Sequence, residues 1–375
     1  MNVAVLGANG FIGSRAVEML HLGELAEVRP VVRSIASLAR LSRFDVDSRV
    51  ADARDQHALE HAFAGCDAVL HAIAGDRRTI LETLEPAYRA AEAAGVRRLV
   101  YLSTAAVHGQ APPPGTDETS PLNDRQPIPY NNAKVLAERR LLQLREQGSV
   151  ELVMLRPGIV FGPRSFWITS FAAALLAGTA YMVNDGRGIC NSVYVDNLIH
   201  AVLLATRAPA ADRQAFLIGD AEQVTWADFY QPIAEALGFD MRDVARLTYT
   251  RSAPRGTDRL RAMVKTRPVQ TLLSLLPVRL RHVLGTGVFR LLASPAPPKS
   301  PWTLPDDSPN IGRQPVATLE MALLHQCQYK LPYTKAATLL GYAPAISFPD
   351  ACRRSIAWLA FAGYPVIDQY DWQNR

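Results

Sequence analysis

Three glycines near the amino terminus constrain this chain more than any other feature. Asn2 to Leu6 is a short apolar run of strand character that leads directly into Gly7-Ala8-Asn9-Gly10-Phe11-Ile12-Gly13, and a helical stretch follows from Ser14 to Leu22. At this spacing the first glycine permits a tight turn. The second lets backbone approach a pyrophosphate, and the third lets the helix pack closely on the sheet. The amides at the helix start and the positive end of its dipole are then available to phosphates. A glycine turn that holds nothing is the plainer alternative, but the strand before it and the helix after it favour a dinucleotide site lined by Gly7, Asn9, Gly10, Phe11, Ile12 and Gly13.

Strand and helix patterns continue in alternation. Strands are expected at Val28 to Val32, Ser48 to Ala51, Ala68 to Ala72, Arg98 to Ser103 and Leu152 to Leu155. Helices are expected at Ile80 to Ala94, ended by Gly95, and at Tyr130 to Gln147. Alternation of this kind implies an α/β fold, a Rossmann-type doubly wound parallel sheet with ligands at the carboxyl ends of its strands. The expected division is a dinucleotide-binding domain over 1–165, with core strands also contributed from 190–220, and a smaller, mostly helical substrate lobe over 166–375. In that lobe, Leu319 to Gln328 and Pro349 to Ala362 read as late helices.

The second strand ends in Val32-Arg33-Ser34. An acidic residue there would bind a ribose 2′-hydroxyl, as in NAD sites, whereas an arginine accommodates the 2′-phosphate of NADP. Arg33 and Ser34 therefore point to NADP, with NAD left open. Asp52, followed by Ala53 at the end of the third strand, has two equal readings: an acceptor for an adenine amino group, or the cap of the next helix.

Tyr130 and Lys134 are four apart at the start of a helix, so they share a face. A free tyrosine titrates near 10, and a neighbouring ammonium favours its phenolate. The pair can serve as a general acid/base on a carbinol or carbonyl, and the lysine can also reach a nicotinamide ribose. The fifth strand ends in Ser103-Thr104, which places a hydroxyl at the sheet's carboxyl edge. One of these two residues is expected to cap backbone only.

Together these segments resemble the extended short-chain dehydrogenase/reductase family, which includes nucleotide-sugar epimerases and 3β-hydroxysteroid dehydrogenases. The resemblance rests on the glycine turn, Asp52-Ala-Arg-Asp55, Cys66 to Ala72, Ser103-Thr104, Tyr130-Asn-Asn-Ala-Lys134, and Leu155-Arg-Pro-Gly-Ile-Val-Phe-Gly-Pro163. Asn191 to Asn197 and Leu340 to Leu359 extend it. It implies Thr104, Tyr130 and Lys134 as catalytic residues. Ser103, His71, Ala72, Ile73 and Ala74 would line the cofactor, and Pro157, Gly158 and Val160 would lie on its nicotinamide side. His108 stands where the family usually has tyrosine and reads as a structural residue. Ala105-Ala106 replace the Asp-Glu that the family's 4,6-dehydratases carry after the catalytic hydroxyl, so dehydration is not expected. A redox sensor that binds cofactor without chemistry is the second class of function; the presence of both Tyr130 and Lys134 argues against it.

The remaining signals concern the substrate. The formal charge is +5, yet the segment 241–299 holds twelve Lys and Arg against two Asp, a net of +10. Such a concentration points to an anionic small-molecule substrate, most readily a sugar on a nucleotide diphosphate, and not to nucleic acid. Apolar residues from Val269 to Leu292 sit among these cations. They suit a lid or a homodimer surface, or contact with anionic lipid, which would accompany a sterol- or lipid-like alcohol as the substrate. The four cysteines show neither metal nor disulfide spacing, the first apolar run enters the glycine turn with no leader pattern, and no window suggests a membrane span. A cytoplasmic enzyme, membrane-peripheral at most and without a metal, is the expectation.

Overall fold

The computed structural model describes residues 1–248 and 315–367. Most of the basic segment, the apolar stretch Val269 to Leu292 and the proline-rich run after it lie outside the described residues. The chain divides into two units, Met1–Leu247 with Arg313–Arg375, and Thr248–Gly312; the elements below belong to the first.

Six strands arise in chain order from the amino-terminal half: β1 Asn2–Leu6, β2 Glu27–Val32, β3 Arg49–Val50, β4 Ala68–His71, β5 Arg98–Leu102 and β6 Glu151–Pro157. Short strands follow at β7 Ile159–Phe161, β8 Tyr181–Val183, β9 Ile189–Cys190 and β10 Ser192–Tyr194, and β11 Gln214–Ile218 returns to the main sheet. That sheet has seven strands in the order β11-β6-β5-β4-β1-β2-β3. Every neighbouring pair in it is parallel. The chain runs outward from β1 to β3, then crosses back to β4 and continues the other way. The order therefore reverses between β1 and β4, where a doubly wound sheet opens a crevice at its carboxyl edge.

Helices cover both faces, which is why the central strands are apolar on both sides. One face carries α1 Phe11–Leu22, whose Ala16, Val17 and Leu20 pack on Val3 and Val5. It also carries the later α7 Val195–Arg207. The opposite face carries α2 Gln56–Phe63, α3 Arg77–Glu82, α4 Leu84–Ala93 and α5 Pro129–Gln147, packed through Phe63, Tyr88 and Leu141 on Leu99 and Tyr101. The single helix expected over Ile80 to Ala94 is two, broken at Thr83. Pro86 explains the break, because its ring has no N–H and collides with the carbonyl four residues back, at Glu82. A third core joins α6 Phe166–Leu176, α8 Trp226–Ala236 and the helix Phe348–Phe361 around Phe161, Trp226 and Phe229. The Phe171 and Tyr230 rings stack there at 3.8 Å.

The segment after the short helix Leu319–Leu324 does not stand apart from the rest. Ile189 N–H donates to the Cys327 carbonyl at 2.7 Å. The Asn191 side chain grips the segment in both senses, donating to the Tyr329 carbonyl at 3.0 Å and accepting from Leu331 N–H at 2.8 Å. No described helix is long and apolar enough to cross a membrane.

Candidate active site

At the switch point the glycine turn is built as its spacing requires. Gly7 has φ +88°, a conformation that side chains with a Cβ rarely adopt, and a Cβ on Gly13 would collide with the Gly7 carbonyl. Gly10 caps α1 without any side-chain hydrogen bond, so the first-turn amides are left for a ligand. A cleft of about 250 Å³ opens over this turn. Of the residues singled out from the sequence, Gly7, Asn9, Gly10, Arg33, Asp52, Ala53, Ile73 and Ala74 line it. Ser37, Arg54, Thr79 and Thr83 line it as well, and sequence reasoning missed them. The two threonines lie four apart near the α3–α4 break, a spacing that could have suggested one wall.

Other expected residues fall beside the cleft. Phe11, Ile12 and Gly13 form the first turn of α1. Ser34 is exposed, with its hydroxyl 3.0 Å from that of Ser37. His71 is 1% exposed and packs edge-on against Tyr101, with its Nε2 3.4 Å from the Thr83 hydroxyl; its ring is inside the fold, and only the chain beyond it reaches the cleft. Asp52 does not cap α2. Its carboxylate accepts from Arg54 N–H at 3.0 Å, whereas Asp55 is the cap, accepting from Ala58 N–H.

The two hydroxyls at the end of β5 part company. Thr104 begins the 3-10 turn Ala105–His108 and accepts from Ala106 N–H at 3.2 Å. It also lines a second pocket with Ala105, Ala106, Gly158, Ile159, Asn191 and Trp226. Ser103 instead donates to Glu138 at 2.5 Å, inside the protein. Pro157 is buried, Gly158 faces the second pocket, and Val160 packs into the core. His108 lies within hydrogen-bond distance of Arg156, 3.2 Å away, as a structural residue would.

Tyr130 and Lys134 occupy the first turns of α5. The Lys134 ammonium, 1% exposed, donates to the Leu102 carbonyl at 2.7 Å and the Tyr101 hydroxyl at 3.2 Å. It lies 5.9 Å from the centre of the Tyr130 ring. The expected lowering of the tyrosine by the lysine is not what this geometry produces. Burial, with the Glu320 carboxylate adding to it, pushes the Tyr130 phenol up to about 12. Burial also pulls Lys134 down to about 7, against the opposing pull of Glu138.

Acid should weaken the fold through its buried rings. Burial holds His71, His108 and His325 neutral down to about 4, instead of the usual 6.5. As pH falls from 6.5 to 4, the unfolded chain takes up protons that the folded chain refuses, so stability drops. Asp220 opposes this: burial lifts its carboxyl to about 6, so between 6 and 3.8 the folded state binds its proton first. Three rings outweigh one carboxyl, and the urea midpoint should decline from pH 6.5 to 4. A midpoint that stays level or rises across that range would contradict this balance.

A doubly wound parallel sheet, a glycine turn at its switch point and a Tyr–Lys pair on the adjoining helix define an extended short-chain dehydrogenase/reductase. The chain belongs to the NAD dependent epimerase/dehydratase family, which it matches over residues 3–219. It is 26% identical to a 3beta-hydroxysteroid-dehydrogenase/decarboxylase of Arabidopsis thaliana, over 63% of this chain and 61% of the plant protein. Against a 2-alkyl-3-oxoalkanoate reductase of Stenotrophomonas maltophilia it is 29% identical, over 65% of this chain and 78% of the relative. Among solved structures, the UDP-glucose 4-epimerase of Thermotoga maritima, crystallised with UDP-glucose, has a TM-score of 0.67 at 19% identity, covering 96% of this chain and 99% of the epimerase. That likeness is one of fold.

Proposed function

We propose that this chain is an NADP-preferring dehydrogenase/reductase acting on a secondary alcohol or ketone carried by an apolar skeleton. One observation carries the reading. The pocket beside Thr104 is walled mainly by Ala105, Ala106, Pro112, Ile159, Ile189, Trp226, Leu324 and Leu331, with Gln110 and Asn191 as its other polar residues, and no lysine or arginine is among its described lining residues. Apolar walls favour apolar ligands in proportion to the area they cover, whereas a diphosphate calls for cations. The names of the plant and Stenotrophomonas relatives point the same way.

The glycine turn and the uncapped start of α1 fit a dinucleotide, which when bound supplies or accepts the hydride. Thr104 would hold the reacting oxygen by a hydrogen bond, Tyr130 would exchange a proton with that oxygen, and Lys134 would hold the nicotinamide ribose. Ala105 and Ala106 present methyl groups to the pocket and have no proton to move, which argues against a dehydratase. Turnover of NADPH with a panel of apolar ketones, beside UDP-, GDP- and dTDP-sugars, tests the reading: reaction with a nucleotide sugar alone overturns it. The sugar reading keeps one supporting feature, the +10 segment 241–299. It requires competitive binding of a free nucleotide that weakens with salt.

Arg33 is exposed at the cleft's edge and makes no hydrogen bond to another described residue. A guanidinium pairs with a phosphate about twice as strongly as neutral groups pair with each other. NADPH should therefore bind roughly tenfold more tightly than NADH, and Arg33→Asp should reverse the order. Titration of both nucleotides decides the matter, and equal affinities for the native protein would refute the preference.

A further inference from the structure

Tyr130, Lys134 and Glu138 are spaced four apart on α5 and form one stripe along its buried side. The first two have roles in the reading above, and Glu138 has none. It is 1% exposed. Arg156 grips both of its carboxylate oxygens, at 3.0 and 2.6 Å, and the Ser103 hydroxyl donates to it at 2.5 Å. Ser103 directly follows Leu102, whose carbonyl receives the Lys134 ammonium at 2.7 Å. Two consecutive residues at the end of β5 are thus held from the same face of α5, one by Lys134 and the next by Glu138.

The titratable groups around Lys134 come from three elements: His71 on β4, Tyr101 on β5, and Tyr130 and Glu138 on α5. Burial keeps His71 uncharged and holds both phenols above their ordinary range. Glu138, paired with Arg156 on β6, is therefore the carboxylate in this set, and it acts on Lys134 against the effect of burial.

We propose that Glu138 is a positioning residue for Lys134: with Ser103 it pins the end of β5 to α5, and its charge favours the ammonium form of the lysine that would hold the nicotinamide ribose. The proposal rests on the reading of Lys134 given above. A neutral amine would still donate a hydrogen bond, but a weaker one.

The test is the pH dependence of NADPH and NADH binding, followed by nicotinamide fluorescence between pH 6 and 9.5. In the native protein affinity should fall about fivefold as Lys134 loses its proton. Glu138→Gln keeps the shape and removes the charge, so the midpoint of that fall should move down by roughly one pH unit. Because Glu138→Gln also leaves Arg156 without its partner charge, Ser103→Ala provides a second route. It spares the ion pair and should move the midpoint in the same direction by less. Lys134→Met should bind weakly at every pH. A Lys134→Met profile matching the native one refutes the role of Lys134 itself. A flat Lys134→Met profile, with the midpoint unmoved in both other variants, refutes the role of Glu138 alone.

Discussion

Replacing Tyr130 with phenylalanine should lower turnover by roughly 10² to 10⁴ while NADPH binds as before. The phenol oxygen is the part removed. Neither the cleft over the glycine turn nor its lining includes that oxygen, so the dinucleotide has no reason to leave. The buried phenol also sits high, at about 12, which suits a group that gives a proton to a ketone more readily than one that takes a proton from an alcohol near neutrality. Reduction of a ketone should accordingly be easier to observe than oxidation of the alcohol. Stopped-flow measurement of NADPH consumption, beside a fluorescence titration of NADPH, separates chemistry from binding. Near-normal turnover in the phenylalanine variant would remove Tyr130 from the mechanism.

The second large effect concerns stability. Arg156 and Glu138 pair at 2.6 Å with side chains 5% and 1% exposed. Taking a charge out of water is costly, and the pair is tolerable because each partner answers the other. Arg156→Met strands the carboxylate, along with the contacts of Arg156 to the Glu118 carbonyl and His108. The loss should be about 3–5 kcal/mol, read as a lowered urea midpoint with an unchanged slope. A double variant with methionine at both positions leaves no unpaired charge and should recover much of that loss. Additive costs from the two single variants would show that the pair is not coupled.

The parts of this molecule that could be read from sequence are those whose cause is local. The β1–turn–α1 unit was legible because glycine spacing and apolar periodicity lie within one short stretch, and β1 falls where the sequence placed it, at Asn2–Leu6. Thr104, Tyr130 and Lys134 could be singled out as candidates because their chemistry is distinctive at their spacing. The directions in which side chains point were not. Nothing local tells Ser103 from Thr104, and only the fold turns one inward to Glu138 and the other to the pocket. Asp52 and Asp55 are equally good caps on paper, and the helix takes the second. Leu324 and Leu331 could not have been singled out as pocket wall at all, since an apolar residue far along the chain has no signature beyond its burial. Pro86 was in plain view, and it was a warning that the Ile80–Ala94 helix would break.

The grip of Asn191 on Tyr329 and Leu331 bears on the order in which the molecule becomes competent. Synthesis supplies the last strand of the main sheet at Ile218, whereas Leu331 leaves the ribosome much later. Every residue that lines the cleft over the glycine turn is thus made before the two leucines that close the second pocket. Leu331 also packs on Leu217 of β11, so the late segment is fixed to the edge strand of the main sheet as well as to the pocket.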